Sequence, residues 1–122
     1  IIDTFMKYGA VAQDKISIFQ DGDTLPFLGG LQVLATPGHT LDHFSFFSPS
    51  TGVLLVGDAL NTRDGRINLP PPRITADQTA AHHSATRLLH LSPTVIACGH
   101  GTPSTRHTPN DLTNLLHSLP TT

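Results

Sequence analysis

The sequence carries little charge and almost no cysteine. Of its 122 residues 13% are charged, with seven Lys and Arg against nine Asp and Glu and a net charge of −2. That balance leaves no basic patch of the kind that binds nucleic acid, so no nucleic-acid partner is expected. The single cysteine, Cys98, excludes an internal disulfide. It fits a reducing compartment, and a cytoplasmic location is the expectation. No apolar run approaches the roughly 20 residues of a membrane-spanning helix, so no membrane partner is expected either. The chain opens on Ile1 and Ile2, then Asp3 and Phe5, with no initiator Met and no secretory pattern. A fragment or a processed form is the expectation. So few charges also leave few groups to solvate a surface, and part of that surface is expected to be covered by a partner.

What is present reads as one small domain over residues 1–122. Ile1 to Tyr8 fits the end of a helix, with Gly9 as its cap, and Ile16 to Phe19 fits a short strand. Asp21-Gly22-Asp23 is a turn. Leu31 to Ala35 is a strand stopped by Pro37-Gly38. Phe44 to Phe47 and Val53 to Val56 form a hairpin around Ser48-Pro49-Ser50-Thr51-Gly52. Asn61 to Arg73 is a loop, since Pro70-Pro71-Pro72 fits neither a strand nor a helix interior. A helix is predicted from near Thr75, with Gln78 three residues on completing a capping box. Its apolar side is Ala81, Ala85, Leu88 and Leu89. Val95 to Cys98 is a further strand. The last helix has Thr108 as N-cap, Pro109 at its first position and Asp111 in its first turn. Leu112, Leu115, Leu116 and Leu119 then make one apolar face. The runs Val53–Val56 and Val95–Cys98 do not alternate with polar residues, which predicts cover on both faces. The chain's helices supply one cover, and the other must come from elsewhere.

Three motifs carry chemistry: Thr36-Pro37-Gly38-His39-Thr40, Gly57-Asp58-Ala59 and Cys98-Gly99-His100-Gly101. Each sets a potential metal ligand on a glycine-bearing turn directly after an apolar strand. Imidazole nitrogen and carboxylate oxygen are both good zinc donors. A carboxylate at the end of a buried strand is costly unless paired or metal-bound. Any one of the three could be an ordinary loop residue. Together, at one edge of a sheet, two His and a carboxylate match a recurring open metal site. His43, among Phe44, Phe46 and Phe47, suits packing or support of the site better than ligation. His82, His83 and His90 belong to a helix face, and His107 and His117 have no partner pattern. Cys98 reads as a small buried hydrophobe.

From Asp21 to Pro103 the chain resembles the C-terminal half of the metallo-β-lactamase-fold hydrolases, near the hydroxyacylglutathione hydrolases. The residues that carry the resemblance are Asp23-Thr24-Leu25, Leu31 to Thr40, Val53 to Ala59 and Val95 to Pro103. It implies an α/β fold that is half of an αββα sandwich, a mixed sheet with helices on one face. It implies a site for one or two metals between two similar halves, usually zinc, sometimes iron or manganese. His39 would join two N-terminal histidines on one metal, Asp58 would bridge and take the catalytic role, and His100 would join an Asp-His pair on the second. A bridging hydroxide would then attack a substrate carbonyl.

The family opens its site with a His-x-His-x-Asp-His cluster, and these 122 residues contain none. Only three of seven ligands are therefore present. Two readings follow. In one, the chain is the second half of a metal-dependent hydrolase of ester, thioester, lactone or amide bonds, completed by a missing N-terminal half. In the other, its metal site is vestigial, no metal is bound, and the chain is a non-catalytic half-domain. That half-domain would form a homodimer through its open sheet face.

Overall fold

A computed structural model of the protein describes residues 19–120. The predicted N-terminal helix, its Gly9 cap and nearly all of the Ile16–Phe19 strand lie outside the described residues. Five strands form one sheet in the order β1-β2-β3-β4-β5: Thr24–Leu25, Leu31–Ala35, Phe44–Ser48, Val53–Gly57 and Val95–Cys98. The first four run antiparallel, and β5 joins β4 in parallel. A parallel neighbour needs a long crossover. Here it contains the loop after β4 and helix α1, Gln78–Leu89. Helix α2, Pro109–Ser118, follows β5.

The strands form where apolar runs are punctuated by turn residues. Gly52, at φ +74°, closes the β3–β4 turn, and its N–H donates to Ser48 O at 2.8 Å. Helix α2 is capped as its sequence predicts. Asp111 N–H donates to Thr108 Oγ1, and Thr108 N–H donates to Asp111 Oδ2. Helix α1 is capped differently from expectation. Its N-cap is Asp77, whose Oδ1 accepts from Ala80 N–H at 3.0 Å. Thr75 instead donates its hydroxyl to Pro71 O. Asp77 wins because its own N–H donates to Gly38 O, which ties that residue to the strand-end turn.

The core lies between one sheet face and the two helices. Leu34, Phe47, Leu54, Val56 and Ile96 meet Ala85, Leu88 and Leu89 of α1 and Leu112 and Leu119 at α2. Leu115 and Leu116 pack against its edge. The two apolar runs alternate in burial despite their uniform composition. Leu54, Val56 and Ile96 are fully buried, while Val53, Leu55, Val95 and Ala97 are half-buried on the other face. Phe19 lies edge-on to Phe44 and Phe46 on that same side, with centroids 5.0 and 5.5 Å apart. No helix among the described residues is long and apolar enough to cross a membrane.

Candidate metal centre

Strand ends place the three motif residues together. β2 ends at Ala35, and the chain turns through Pro37 and Gly38 to present His39. Gly38 has φ +148°, and a Cβ there would lie 2.4–2.6 Å from Ala81 of α1. Only glycine lets this turn press on the helix. The contact is sealed by Asp77 N–H donating to Gly38 O and Ala76 N–H donating to His39 O, at 2.9 and 3.3 Å.

Asp58 follows the end of β4, where the pairing with β5 shifts register between Leu55 and Gly57. Such an irregularity re-aims the residues after it. Gly57 stands at φ +53°, with His43 Nε2 only 2.8 Å from where its Cβ would be. His100 follows β5. Gly99 donates its N–H to Gly57 O at 2.7 Å, and a Cβ on Gly99 would lie 2.9 Å from Asp58 Oδ1. Glycine at 99 therefore makes room for the carboxylate itself.

The result is a carboxylate flanked by two imidazoles. His39 Nε2 lies 3.7 Å from Asp58 Oδ2, and His100 Nε2 lies 3.4 Å from Asp58 Oδ1. Each histidine faces a different oxygen, and both separations exceed the 2.7–3.2 Å of an ordinary N–H···O bond. His39 Nδ1 is buried and has no hydrogen-bond partner among the described residues. The side chain of His39 is 21% exposed and that of His100 60%. Among the described residues, no group of three or more His, Cys, Asp or Glu side chains is placed to hold a metal ion by itself.

His43 supports Asp58 rather than joining it. Asp58 N–H donates to His43 Nε2 at 3.2 Å, so that nitrogen carries a lone pair and the ring proton sits on Nδ1. Nδ1–H then donates to Thr36 Oγ1 at 2.9 Å, and the Thr36 hydroxyl shares a hydrogen bond of 2.8 Å with the buried Ser45 hydroxyl. Burial holds the His43 pKa below its ordinary value, opposed by the nearby Asp58 charge. The sequence indicates a supporting role for His43, but Thr36 and Ser45 went unmarked as its partners. The available signal was Ser45 itself, a hydroxyl set among Phe44, Phe46 and Phe47.

Thr62 was also missed. It is buried, its N–H donates to His100 O at 3.1 Å, and its hydroxyl donates to Thr102 O at 2.5 Å. It clamps the His100 loop from the far side of Gly101. Cys98, expected to be buried, is only half-buried, and that burial raises its thiol pKa to about 11. His107, which has no partner pattern in the sequence, has two partners in the fold. Its Nε2–H donates to Pro93 O at 2.6 Å, and its Nδ1 meets Ser104 Oγ at 2.8 Å.

A mixed sheet with helices packed on one face, and with His, Asp and His gathered at its strand ends, defines a hydrolase-like α/β fold. The description of the metallo-beta-lactamase superfamily matches residues 4–100, and the chain belongs to that superfamily, whose members bind metals. It is 30% identical to the probable metallo-hydrolase YflN of Bacillus subtilis strain 168, over 94% of this chain and 48% of that protein. A 42-residue stretch is 57% identical to the hydroxyacylglutathione hydrolase of Idiomarina loihiensis, covering 33% of this chain and 15% of that enzyme. The archaeal superfamily protein ST1585 of Sulfolobus tokodaii shares the fold with a TM-score of 0.66 at 23% identity, over 94% of this chain and 45% of its own. The chain spans about half the length of YflN and ST1585.

Proposed function

We propose that the chain is the C-terminal half of a metal-dependent hydrolase acting on ester, thioester, lactone or amide bonds. In this reading His39, Asp58 and His100 are its contribution to the metal site. One observation carries it: the two oxygens of Asp58 each face one imidazole Nε2, at 3.7 and 3.4 Å. Two donors on one tetrahedral zinc, each about 2.0–2.1 Å from it, lie about 3.3–3.4 Å apart. The His100–Asp58 separation falls there, and the His39–Asp58 separation slightly beyond. His39, Asp58 and His100 would therefore contribute to holding metal, and remaining ligands would come from an N-terminal half.

A bound zinc, iron or manganese ion would polarise a carbonyl and lower the pKa of its water. The chain's own residues do the positioning. Asp58 is fixed through its backbone by His43, and its carboxylate is fitted into the space left by Gly99. His39 is set by the pressed turn at Gly38, and His100 by the Thr62 clamp. Calorimetric titration of zinc, iron(II) or manganese(II) into the chain tests the reading, because a partial ligand set binds an ion too weakly to retain it through dialysis. Saturable binding that His39→Ala, His100→Ala and Asp58→Ala each weaken is the expected outcome, and a folded chain that binds no ion overturns it.

A second reading rests on the half-buried sheet face of Phe46, Val53, Leu55, Val95 and Ala97. Here two copies of the chain associate through that face. Light scattering coupled to size-exclusion chromatography reads the mass directly, and a folded monomer removes this alternative.

A further inference from the structure

A cavity lies beside the His100 loop, not over Asp58. It has a volume of about 610 Å³. Its walls are the loop after β4, with Thr62, Arg66 and Ile67, the segment from Thr102 to His107, and α2 with Asp111, Asn114 and Leu115. A site of this size suits a small organic molecule.

Two features of the lining point to the chemistry of an occupant. Arg66 and Arg106 both line the cavity, and among the described residues neither guanidinium makes an ion pair or donates a hydrogen bond. Arg87, by contrast, is committed to Asp21 at 2.8 Å. The other charged or titratable groups of the lining are already engaged. Asp111 Oδ2 accepts from Thr108 N–H, and both ring nitrogens of His107 are bonded. Ile67, Pro103 and Leu115 also line the cavity and give it apolar surface. Free guanidiniums over an apolar floor suit a carboxylate or phosphate attached to a hydrocarbon or aromatic body.

We infer that this cleft binds the anionic part of a small organic ligand, with Arg66 and Arg106 taking the charge and Ile67 and Leu115 the apolar body. Thr102 lines the cleft and stands two residues after His100, so the two Cα atoms are at most about 7.6 Å apart. The cleft therefore adjoins the loop that carries His100. A link between a bound ligand and Asp58 rests on the proposed hydrolase function, whereas the binding itself does not.

The probe is phenyl phosphate, titrated into the ¹⁵N-labelled chain in the presence of a chelator and followed by NMR. The expected result is saturable shifts at Thr62 to Ile67, Thr102 to His107 and Asn114 to Leu115. Affinity should fall about tenfold in Arg66→Gln and again in Arg106→Gln, the loss expected for a charge-assisted hydrogen bond. Inorganic phosphate should bind more weakly, and benzyl alcohol more weakly still. Both arginines are exposed, so the variants keep the fold, and their unshifted spectra verify it. Absence of saturation overturns the inference. So do shifts that neither variant weakens, and so does equal binding of phenyl and inorganic phosphate, which would mark adventitious anion attraction. Because the chelator removes metal, failure here leaves the hydrolase reading standing. Retained binding without metal uptake would instead overturn only that reading.

Discussion

The two histidine loops solve the same problem in opposite ways. The His39 loop is pressed into the fold: Gly38 abuts Ala81, and two backbone bonds join the turn to the start of α1. The His100 loop stands at the surface, with its imidazole 60% exposed, and Thr62 holds it through two hydrogen bonds. Asp58 sits between them and inherits order from the buried side, through His43. A packed turn fixes a ligand by excluding alternatives, while a clamped one fixes it only as long as the clamp holds. Mutations should separate the two.

The largest effect is expected at Gly38. In Gly38→Ala the new Cβ would meet Ala81 backbone atoms at 2.4–2.6 Å. A loss of roughly 3 kcal/mol in chemical denaturation is expected from overpacking. A loss under about 0.5 kcal/mol would mean that this turn is no more constrained than a surface site. Next comes His43→Leu, which leaves Asp58 N–H and Thr36 Oγ1 without their ring partner. About 2 kcal/mol should go, as for a buried polar group left unpaired. On the clamped side, Thr62→Val removes the hydroxyl bond to Thr102 O and should cost only about 1 kcal/mol. Its amide exchange signature should be local, with faster exchange at Thr62 and Gly101 and none at Gly38. If Thr62→Val destabilises more than His43→Leu, the contrast is reversed.

The smallest effect is on pH dependence. Burial lowers the folded pKa of His43 below 6.5. Between the folded and unfolded values the unfolded chain binds more protons, so stability rises with pH across that window. It is fully present above about 6.5 and declines as the pH falls toward the folded pKa. Thermal melts at pH 7 and pH 5.5 should show that loss in the native chain and a shallower one in His43→Leu. An identical slope in both would place the titration elsewhere.

Much of this architecture was legible in the sequence. The strands at Leu31–Ala35 and Val95–Cys98 match their predicted bounds because short apolar runs there end at Pro-Gly or Gly-His-Gly. The cap of α2 was legible because Thr108, Pro109 and Asp111 act on each other over one turn. The cap of α1 was not. Thr75 and Asp77 are both good local candidates, and the choice was made by Gly38, nearly 40 residues earlier. A similar distance in sequence hides the Thr62 clamp, and the Thr36–His43 link to Asp58, though it spans only 7 and 15 residues, is hidden because it crosses between strand ends. The three motif residues could be picked out one by one, whereas the hydrogen bonds that aim them connect separate strands. On the two apolar strands the sequence pointed to one face covered by the helices and a second needing other cover, and the half-buried side of Val53, Leu55, Val95 and Ala97 is that second face.

The parallel seam between β4 and β5 has a consequence for how the site comes into being. Phe46 pairs with Leu55 across nine residues, and Val33 with Phe46 across thirteen, whereas Val53 meets Val95 only across forty-two. Closing the longer loop costs about 1.4 kcal/mol more in chain entropy than closing the nine-residue one. The meander that brings His39 beside Asp58 should therefore form early, and His100 should arrive late, when β5 docks. Pulsed hydrogen exchange would then find Leu55 protected before Ile96; the reverse order would refute this sequence of events. On this account the molecule acquires its two imidazoles at different moments, the sheltered one first and the exposed one last.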